Sequence, residues 1–113
     1  MVENRLDIIF QALADPTRRG MLASLALGDR SIGQLAEPLR MSFAGASKHV
    51  KVLEDAGLVT RRKAGRNQII RLEAKPLEEA ERWLRQWEKF WAVGLDRLEA
   101  LIERDKKKES PDD

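Results

Sequence analysis

Apolar residues in the first half of the chain recur every three or four positions, which is the spacing of one face of an α-helix. The recurrence predicts four helices, over residues 4–14, 16 to about 28, 32 to about 39, and 43 to about 56. After these, two β-type runs, Leu58–Lys63 and Gln68–Leu72, are joined by a predicted turn. Helix, turn, helix and hairpin in this order predict a winged helix-turn-helix, a mainly α fold with a small β-hairpin.

Three of the four helices carry a start signal. Asp15 precedes Pro16, so the aspartate is expected to cap the second helix and the proline to take its first position, where a missing N–H costs nothing. Ser31 and Gln34 have the spacing of a capping box for the third helix. Ser42 is expected to cap the fourth helix.

The fourth helix has two unlike faces. Ala46, Val50 and Leu53 keep the helical period and are expected to face the core. The opposite face is small or polar, and Phe43 lies at its edge. Small residues would let the backbone approach the major groove of DNA, and Ala44 offers a methyl group that can meet a thymine methyl.

Positive charge is concentrated in the fourth helix and the hairpin. Between Ser42 and Leu72 there are seven basic and two acidic side chains, a net charge of +5, whereas the whole chain carries +2. A basic segment flanked by neutral and acidic ones is suited to holding phosphates in one place, so it predicts DNA binding. The expected contacts are Ser42, Phe43, Ala44, Ser47, Lys48, Lys51, Arg62, Lys63, Arg66 and Asn67.

Other interpretations of these basic residues stay open. Lys48 and Lys51 could be an ordinary solvated helix face, and the cations of residues 61–66 could be a strand edge that resists sheet aggregation. For Arg66 we favour a phosphate or minor-groove contact, because it lies in the turn where its reach is greatest. For His49, the only histidine, we favour a hydrogen-bonding role at the helix edge over a phosphate contact.

The C-terminal part predicts one long helix from about Pro76 to Arg104. Its apolar positions are heptad-like, and Trp83, Trp87 and Trp91 recur every four residues near its middle. One small core cannot cover this much apolar surface, so we expect the helix to dimerise. An apolar molecule lodged near the tryptophans is the only effector that the sequence motivates.

Composition narrows the functional classes. The chain has no cysteine and one histidine, which leaves no thiol nucleophile, no catalytic triad and no thiolate metal site, so neither an enzyme nor a cofactor is expected. No signal peptide is recognisable, and no apolar run approaches the roughly 20 residues that span a bilayer. We expect a cytoplasmic protein with one domain over residues 1–104 and a disordered charged tail over residues 105–113.

Three segments form a recognisable set: LADPTRRGMLASL near the start, MSFAGASKHVKVLEDAGLV across the fourth helix, and RRKAGRNQIIRL in the hairpin. Together they resemble the ArsR/SmtB family of dimeric winged-helix repressors. The resemblance covers roughly residues 5–100 and implies a bacterial or archaeal autoregulatory repressor that binds promoter DNA as a homodimer. Ser47 and Lys48 match positions that usually touch DNA, whereas Phe43 and Ala44 match positions that are often polar.

The resemblance also implies dimerisation through the first and last helices. Metal-sensing members place cysteines on the helix that here reads SIGQLAEPL, or Asp, His and Glu ligands on the C-terminal helix, and neither set is present. The chain is therefore expected not to sense metal, and it resembles the branch whose last helix is rich in tryptophan. The expected interface residues are Leu6, Ile9, Phe10, Leu84, Trp87, Trp91 and Leu98.

A function from another class stays open. A winged-helix module could bind a protein through its Trp-rich helix and leave DNA alone. The basic face of the fourth helix argues against this alternative, and salt-sensitive retention on duplex DNA would separate the two functions.

Overall fold

The computed structural model describes the backbone of residues 4–109 and the side chains of that range except Trp91 and residues 107–109. The chain divides into two compact units, the first ending at Ala80 and the second beginning at Glu81. The elements, in order, are α1 (Arg5–Leu13), α2 (Pro16–Leu25), β1 (Arg30–Ser31), α3 (Ile32–Ala36), a 3-10 turn (Glu37–Leu39), α4 (Phe43–Asp55), β2 (Val59–Ala64), β3 (Asn67–Leu72), α5 (Lys75–Arg85) and α6 (Glu88–Glu109).

The predicted caps are confirmed. Asp15 accepts hydrogen bonds from the backbone N–H groups of Thr17 and Arg18 at the start of α2. Ser31 and Gln34 form the full capping box of α3, and the Ser42 hydroxyl accepts from the Gly45 N–H at 3.0 Å. Each cap is worth about 1 kcal/mol of helix stability, so these side chains fix where the helices begin.

The core of the first unit lies between α1 to α4 and one face of the sheet. The predicted inward residues of α4, Ala46, Val50 and Leu53, are completely buried, as is Ile70 of β3. Their neighbours in the same cluster come from the other helices, from β2 and from the residue just before it, and include Ala12, Met21, Leu25, Ile32, Leu35, Leu58 and Val59. Because α4 is held by its apolar stripe, its opposite face points out of the core.

The hairpin forms as predicted, with a third strand that the sequence did not indicate. The antiparallel sheet has the order β1-β3-β2, and Ala64 pairs with Asn67 around a two-residue turn whose first residue, Gly65, has φ 62°. Glycine adopts such a positive φ without strain. The added strand, β1, pairs Arg30 with Ile70, and its two residues are too few to show an alternating pattern.

The prediction of one long C-terminal helix is wrong. α5 ends at Arg85 and α6 begins at Glu88. At the break the N–H groups of Gln86 and Trp87 donate to carbonyls only three residues back, so the chain tightens into a turn. The heptad registers therefore do not run continuously from Leu77. α6 also extends through Glu109, beyond the predicted end at Arg104, whereas residues 110–113 of the predicted tail lie outside the described residues.

No helix within residues 4–109 is both long and apolar enough to cross a membrane.

Candidate nucleic-acid interface

The outward face of α4 carries the predicted reading residues. Ala44, Lys48 and Lys51 are exposed, and Ser47 is half-buried next to them. Phe43, the first residue of the helix, exposes 64% of its surface, which is unusual for a phenylalanine without a partner. The face thus combines two lysines with small and apolar groups, a mixture that can meet both phosphates and base edges.

A cleft joins the start of α4 to the hairpin. It has a volume of about 280 Å³, and it lies where α4, the β1–α3 junction and the two hairpin strands meet. Four of the ten predicted DNA contacts line it, Phe43 and Ser47 from the helix and Arg66 and Asn67 from the hairpin. The structure therefore brings the two halves of the predicted site together, although they lie about twenty residues apart in sequence.

The predicted basic contacts fall into two groups. Lys51 pairs with Asp55 at 3.2 Å, and Arg62 pairs with Asp29 at 3.7 Å. Lys48, Lys63 and Arg66 have no ion-pair partner among residues 4–109. Exposed ion pairs contribute only about 0–1 kcal/mol, so the paired side chains can still be exchanged onto phosphates at small cost.

Arg61 has a different role from the other hairpin cations. Its guanidinium pairs with Glu54 of α4 at 3.2 Å and donates to the Gln68 side chain at 2.6 Å, and its side chain is only 22% exposed. Arg61 therefore attaches the hairpin to α4. Sequence reasoning placed it among the edge cations because a contact between residues on different elements leaves no local pattern.

A second cluster of contacts connects α1, α2 and α4, and sequence reasoning missed it. The Arg18 guanidinium donates to the Ala12 carbonyl at 2.7 Å and the Gln11 carbonyl at 2.9 Å, at the end of α1. It also lies 3.3 Å from Nδ1 of His49 on α4. Arg19 donates to the Leu13 carbonyl at 2.8 Å. The two arginines thus donate to the last carbonyls of α1, of which that of Gln11 also accepts the Ala14 N–H at 3.2 Å.

Asp15 completes this cluster. Its partial burial alone would raise its pKa, but N–H donation from Arg18 and Thr17, together with the positive charge of Arg18, holds the pKa of Asp15 below its usual value. The carboxylate form is therefore the one that the start of α2 favours. The spacing of Asp15, Pro16 and Arg18 in DPTRR was the only sequence signal for this junction.

The second unit exposes a row of apolar side chains. Phe90, Leu95, Leu98 and Leu101 each expose more than half of their surface in the single chain. Trp83 and Trp87 lie at a centroid distance of 5.9 Å, and Trp87 meets Phe90 edge-to-face at 6.1 Å. The aromatic groups thus pack on one another across the break between α5 and α6 while a large apolar surface stays open.

The side chains of the predicted interface residues differ in how much of their surface is exposed. Leu84 and Trp87 are about two-fifths exposed, and Leu6 and Phe10 of α1 are half-buried. Ile9 is completely buried in the single chain, so it has no surface to present to a second molecule. The Trp91 side chain lies outside the described side chains.

Comparison with known proteins gives one consistent result. The sequence model of a family described as a helix-turn-helix domain matches residues 13–62. The chain is 37% identical over 97 residues to the HTH-type transcriptional regulator Rv2034 of Mycobacterium tuberculosis, covering 86% of this chain and 88% of that protein. The 97 matched residues extend well beyond the helix-turn-helix match over residues 13–62.

Solved structures agree with the sequence comparison. The ArsR-family transcriptional regulator RHA00566 is 37% identical, with a TM-score of 0.72 over 81% of this chain and 97% of that one. A homodimeric winged helix-turn-helix DNA-binding domain from Mycobacterium bovis, described as a possible ArsR-family regulator, is 26% identical. Its TM-score is 0.59 over 82% of this chain and 83% of that one.

Proposed function

Because the chain belongs to the ArsR/SmtB family of winged helix-turn-helix transcriptional regulators, we propose that it is a homodimeric repressor that binds an inverted-repeat operator and does not sense metal. Its membership makes it a DNA-binding regulator and not an enzyme. The observation that carries the proposal is the basic, small-residue face of α4, which is exposed beside the hairpin cations. We also propose the cytoplasm as its location, where such a regulator meets the chromosome.

In the proposed complex α4 lies in the major groove. Ser47 and Lys48 reach base edges, and Ala44 and Phe43 offer apolar groups to thymine methyls. The hairpin follows the DNA backbone, with Arg66 at its tip. The remaining proposed contacts, which position the protein through phosphates and sugars, are Ser42, Lys51, Arg62, Lys63 and Asn67.

The exposed apolar row of the second unit supports dimerisation. Apolar patches of this extent on a monomer commonly mark an interface, and a two-fold dimer presents the same patch from both chains. A dimer also supplies the second reading helix that an inverted repeat requires, with half-site centres one or more helical turns apart. The homodimeric relative supports the same assembly.

Metal sensing does not fit the side chains present. The chain has no cysteine, and Nδ1 of its single histidine faces Arg18. Within residues 4–109 no three His, Asp or Glu side chains gather as a metal ion would require. We therefore propose that stoichiometric zinc, cadmium, nickel or arsenite leaves DNA affinity unchanged. Repression then follows from the covering of promoter DNA, and autoregulation is what the family resemblance implies.

Selection from random duplexes tests the proposal. The full chain is incubated with a pool of random duplex DNA, bound molecules are amplified over several rounds, and the enriched sequences are aligned. We expect an inverted repeat, and binding to the selected duplex that weakens with salt at a log–log slope of roughly −5 to −9, as for about 6–10 neutralised phosphates. No enrichment, with salt-insensitive retention of a protein partner instead, would favour the protein-interaction alternative.

A further inference from the structure

Arg18 connects three helices of the first unit. It lies in the first turn of α2 and its side chain is only 15% exposed. Nε and Nη2 donate to the Ala12 and Gln11 carbonyls at the end of α1, and Nη1 lies 3.3 Å from His49 Nδ1 on α4. One mostly buried guanidinium thus joins the end of α1 to the helix that we propose reads DNA.

The chemistry of this contact sets which tautomer of His49 can form the hydrogen bond. Every guanidinium nitrogen is a donor and none accepts, so Nδ1 must be the acceptor. A hydrogen bond at this contact therefore needs the form of the ring that carries its proton on Nε2. The charged groups around the contact are Arg18 itself and Asp15, whose Oδ2 lies 3.9 Å from Arg18 Nη1. The carboxylate offsets the guanidinium charge and leaves the ring to serve as an acceptor.

The contact adds a directional restraint to the packing of α4 against the apolar core. Ala46, Val50 and Leu53 hold α4 against the core, but apolar contacts are non-directional. A hydrogen bond has a preferred direction, so a bond at His49 limits rotation of α4 about its own axis. His49 follows Lys48 directly and lies two residues after Ser47, so any rotation of α4 moves both proposed base contacts.

We propose that Arg18 is a positioning residue for DNA recognition, which acts through the neutral Nε2–H tautomer of His49 to fix the orientation of α4 relative to the end of α1. The proposal rests on the proposed function, because it assigns to α4 the reading of DNA. A purely structural Arg18–His49 contact would stabilise the fold without changing which DNA sequence the protein prefers.

The tautomer can be measured without DNA. The chain has one histidine, so the two imidazole nitrogens give an unambiguous pair of signals in a nitrogen-detected or long-range nitrogen–proton NMR experiment. We expect Nδ1 without a proton and Nε2 with one in the neutral wild-type protein. In Arg18→Met, which keeps the chain length but has no donor, the signals should move toward a mixture of tautomers. A wild-type Nδ1–H tautomer, or signals that a folded Arg18→Met leaves unchanged, would overturn the proposal.

A DNA-binding assay then compares two substitutions of His49. In His49→Asn the amide oxygen can occupy the position of Nδ1 and accept from Arg18, whereas His49→Leu fills similar space without an acceptor. Affinities are measured for the duplex selected by the wild-type protein and for a scrambled duplex of the same length, below the unfolding temperature of each variant. We expect His49→Leu to lose about tenfold affinity for the selected duplex, a typical effect of losing a hydrogen bond to a charged group. It should keep its affinity for the scrambled duplex, and His49→Asn should stay within about twofold of wild type on both.

Other results of the DNA-binding assay would contradict the proposed role of the Arg18–His49 contact. Equal affinities of the Asn and Leu variants, or equal losses on the two duplexes, would show that the contact does not position α4 for sequence recognition. If the wild-type protein selects no duplex, the proposed function fails, and the NMR result still decides whether Arg18 fixes His49 on α4.

Discussion

Up to Ala80 most apolar residues of the helices pack into a common core, whereas every described side chain of residues 81–106 is exposed in the single chain. The first unit also has four helices with side-chain caps and a sheet that covers one side of the core. The second unit has helices of comparable apolar content and nothing described that covers them. The first unit thus buries its own apolar residues, and the exposed apolar surface of the second unit is why we propose that it packs against a partner molecule.

Substitution of one apolar residue in each unit gives the largest expected effects. Trp87→Ala should weaken the dimer by about 3–5 kcal/mol, because a large aromatic group is removed from the proposed interface. Sedimentation should then show monomers, and binding to the selected duplex should fall with the dimer. Leu53→Ala, the matched change in the first unit, should lower the free energy of unfolding by about 2–5 kcal/mol at any protein concentration.

A loss of dimer in Trp87→Ala, set against a loss of fold stability in Leu53→Ala, would distinguish the roles of the two units. Helicity is checked first, so that simple unfolding of Trp87→Ala is recognised. A folded Trp87→Ala that remains dimeric with native DNA affinity would place Trp87 outside the interface and shift the dimer contacts to α1 around Phe10.

The reading face of α4 should show the next largest effect. Ser47→Ala combined with Lys48→Ala should reduce the preference for the selected over the scrambled duplex by about 1–3 kcal/mol, the usual worth of one good base contact. Lys51 is a proposed phosphate contact on the same helix, so Lys51→Ala is the control. It should weaken binding to the selected and the scrambled duplex by the same factor. If the double variant also lost affinity equally on both, α4 would not be the reading helix.

Substitution of Arg66 should change the salt dependence of DNA binding and leave the preferred DNA sequence unchanged. Arg66→Ala should flatten the log–log salt slope by about 2 per dimer, since each protomer loses about one phosphate contact, and the selected sequence should not change. Lys106→Ala, which removes a positive charge from α6, should leave the slope as it is. An altered sequence preference in Arg66→Ala would move the hairpin tip from the backbone to the base edges.

Substitution of Asp15 should give the smallest effect, a change in how the stability of the fold depends on pH at acidic pH. The pKa of Asp15 is lowered in the folded protein, so its contribution to stability is present above the unfolded value of about 3.9 and is lost as the pH falls through the folded value. Asp15→Asn keeps a capping oxygen but cannot titrate. Unfolding curves of the two proteins should therefore converge as the pH drops below about 4, and parallel curves would contradict the assignment.

The parts of the fold that sequence predicted are those with local causes. The caps at Asp15, Ser31 and Ser42 and the buried stripe of α4 depend on residues within one or two turns of each other. β1 escaped prediction because two residues carry no period. The break at Gln86 and Trp87 escaped it because no proline or glycine marks the site.

The proposed site was predictable to a similar degree. Four of the nine residues that line the cleft, Phe43, Ser47, Arg66 and Asn67, were named from the sequence. The pairing of Arg62 with Asp29, the attachment of Arg61 to Glu54 and the contact of Arg18 with His49 were not. Each joins different elements of the fold, so no periodic pattern records it.

A hydroxyl-radical footprint of the full chain on its selected duplex tests most directly whether a dimer binds an inverted repeat. The number of chains bound per duplex is read from the same titration. We expect two protected segments related by two-fold symmetry, with centres one or more helical turns apart and two chains bound per duplex. A single protected half-site occupied by one chain would contradict this expectation, because the exposed apolar surface of the second unit would then not serve to hold two reading helices at a fixed separation.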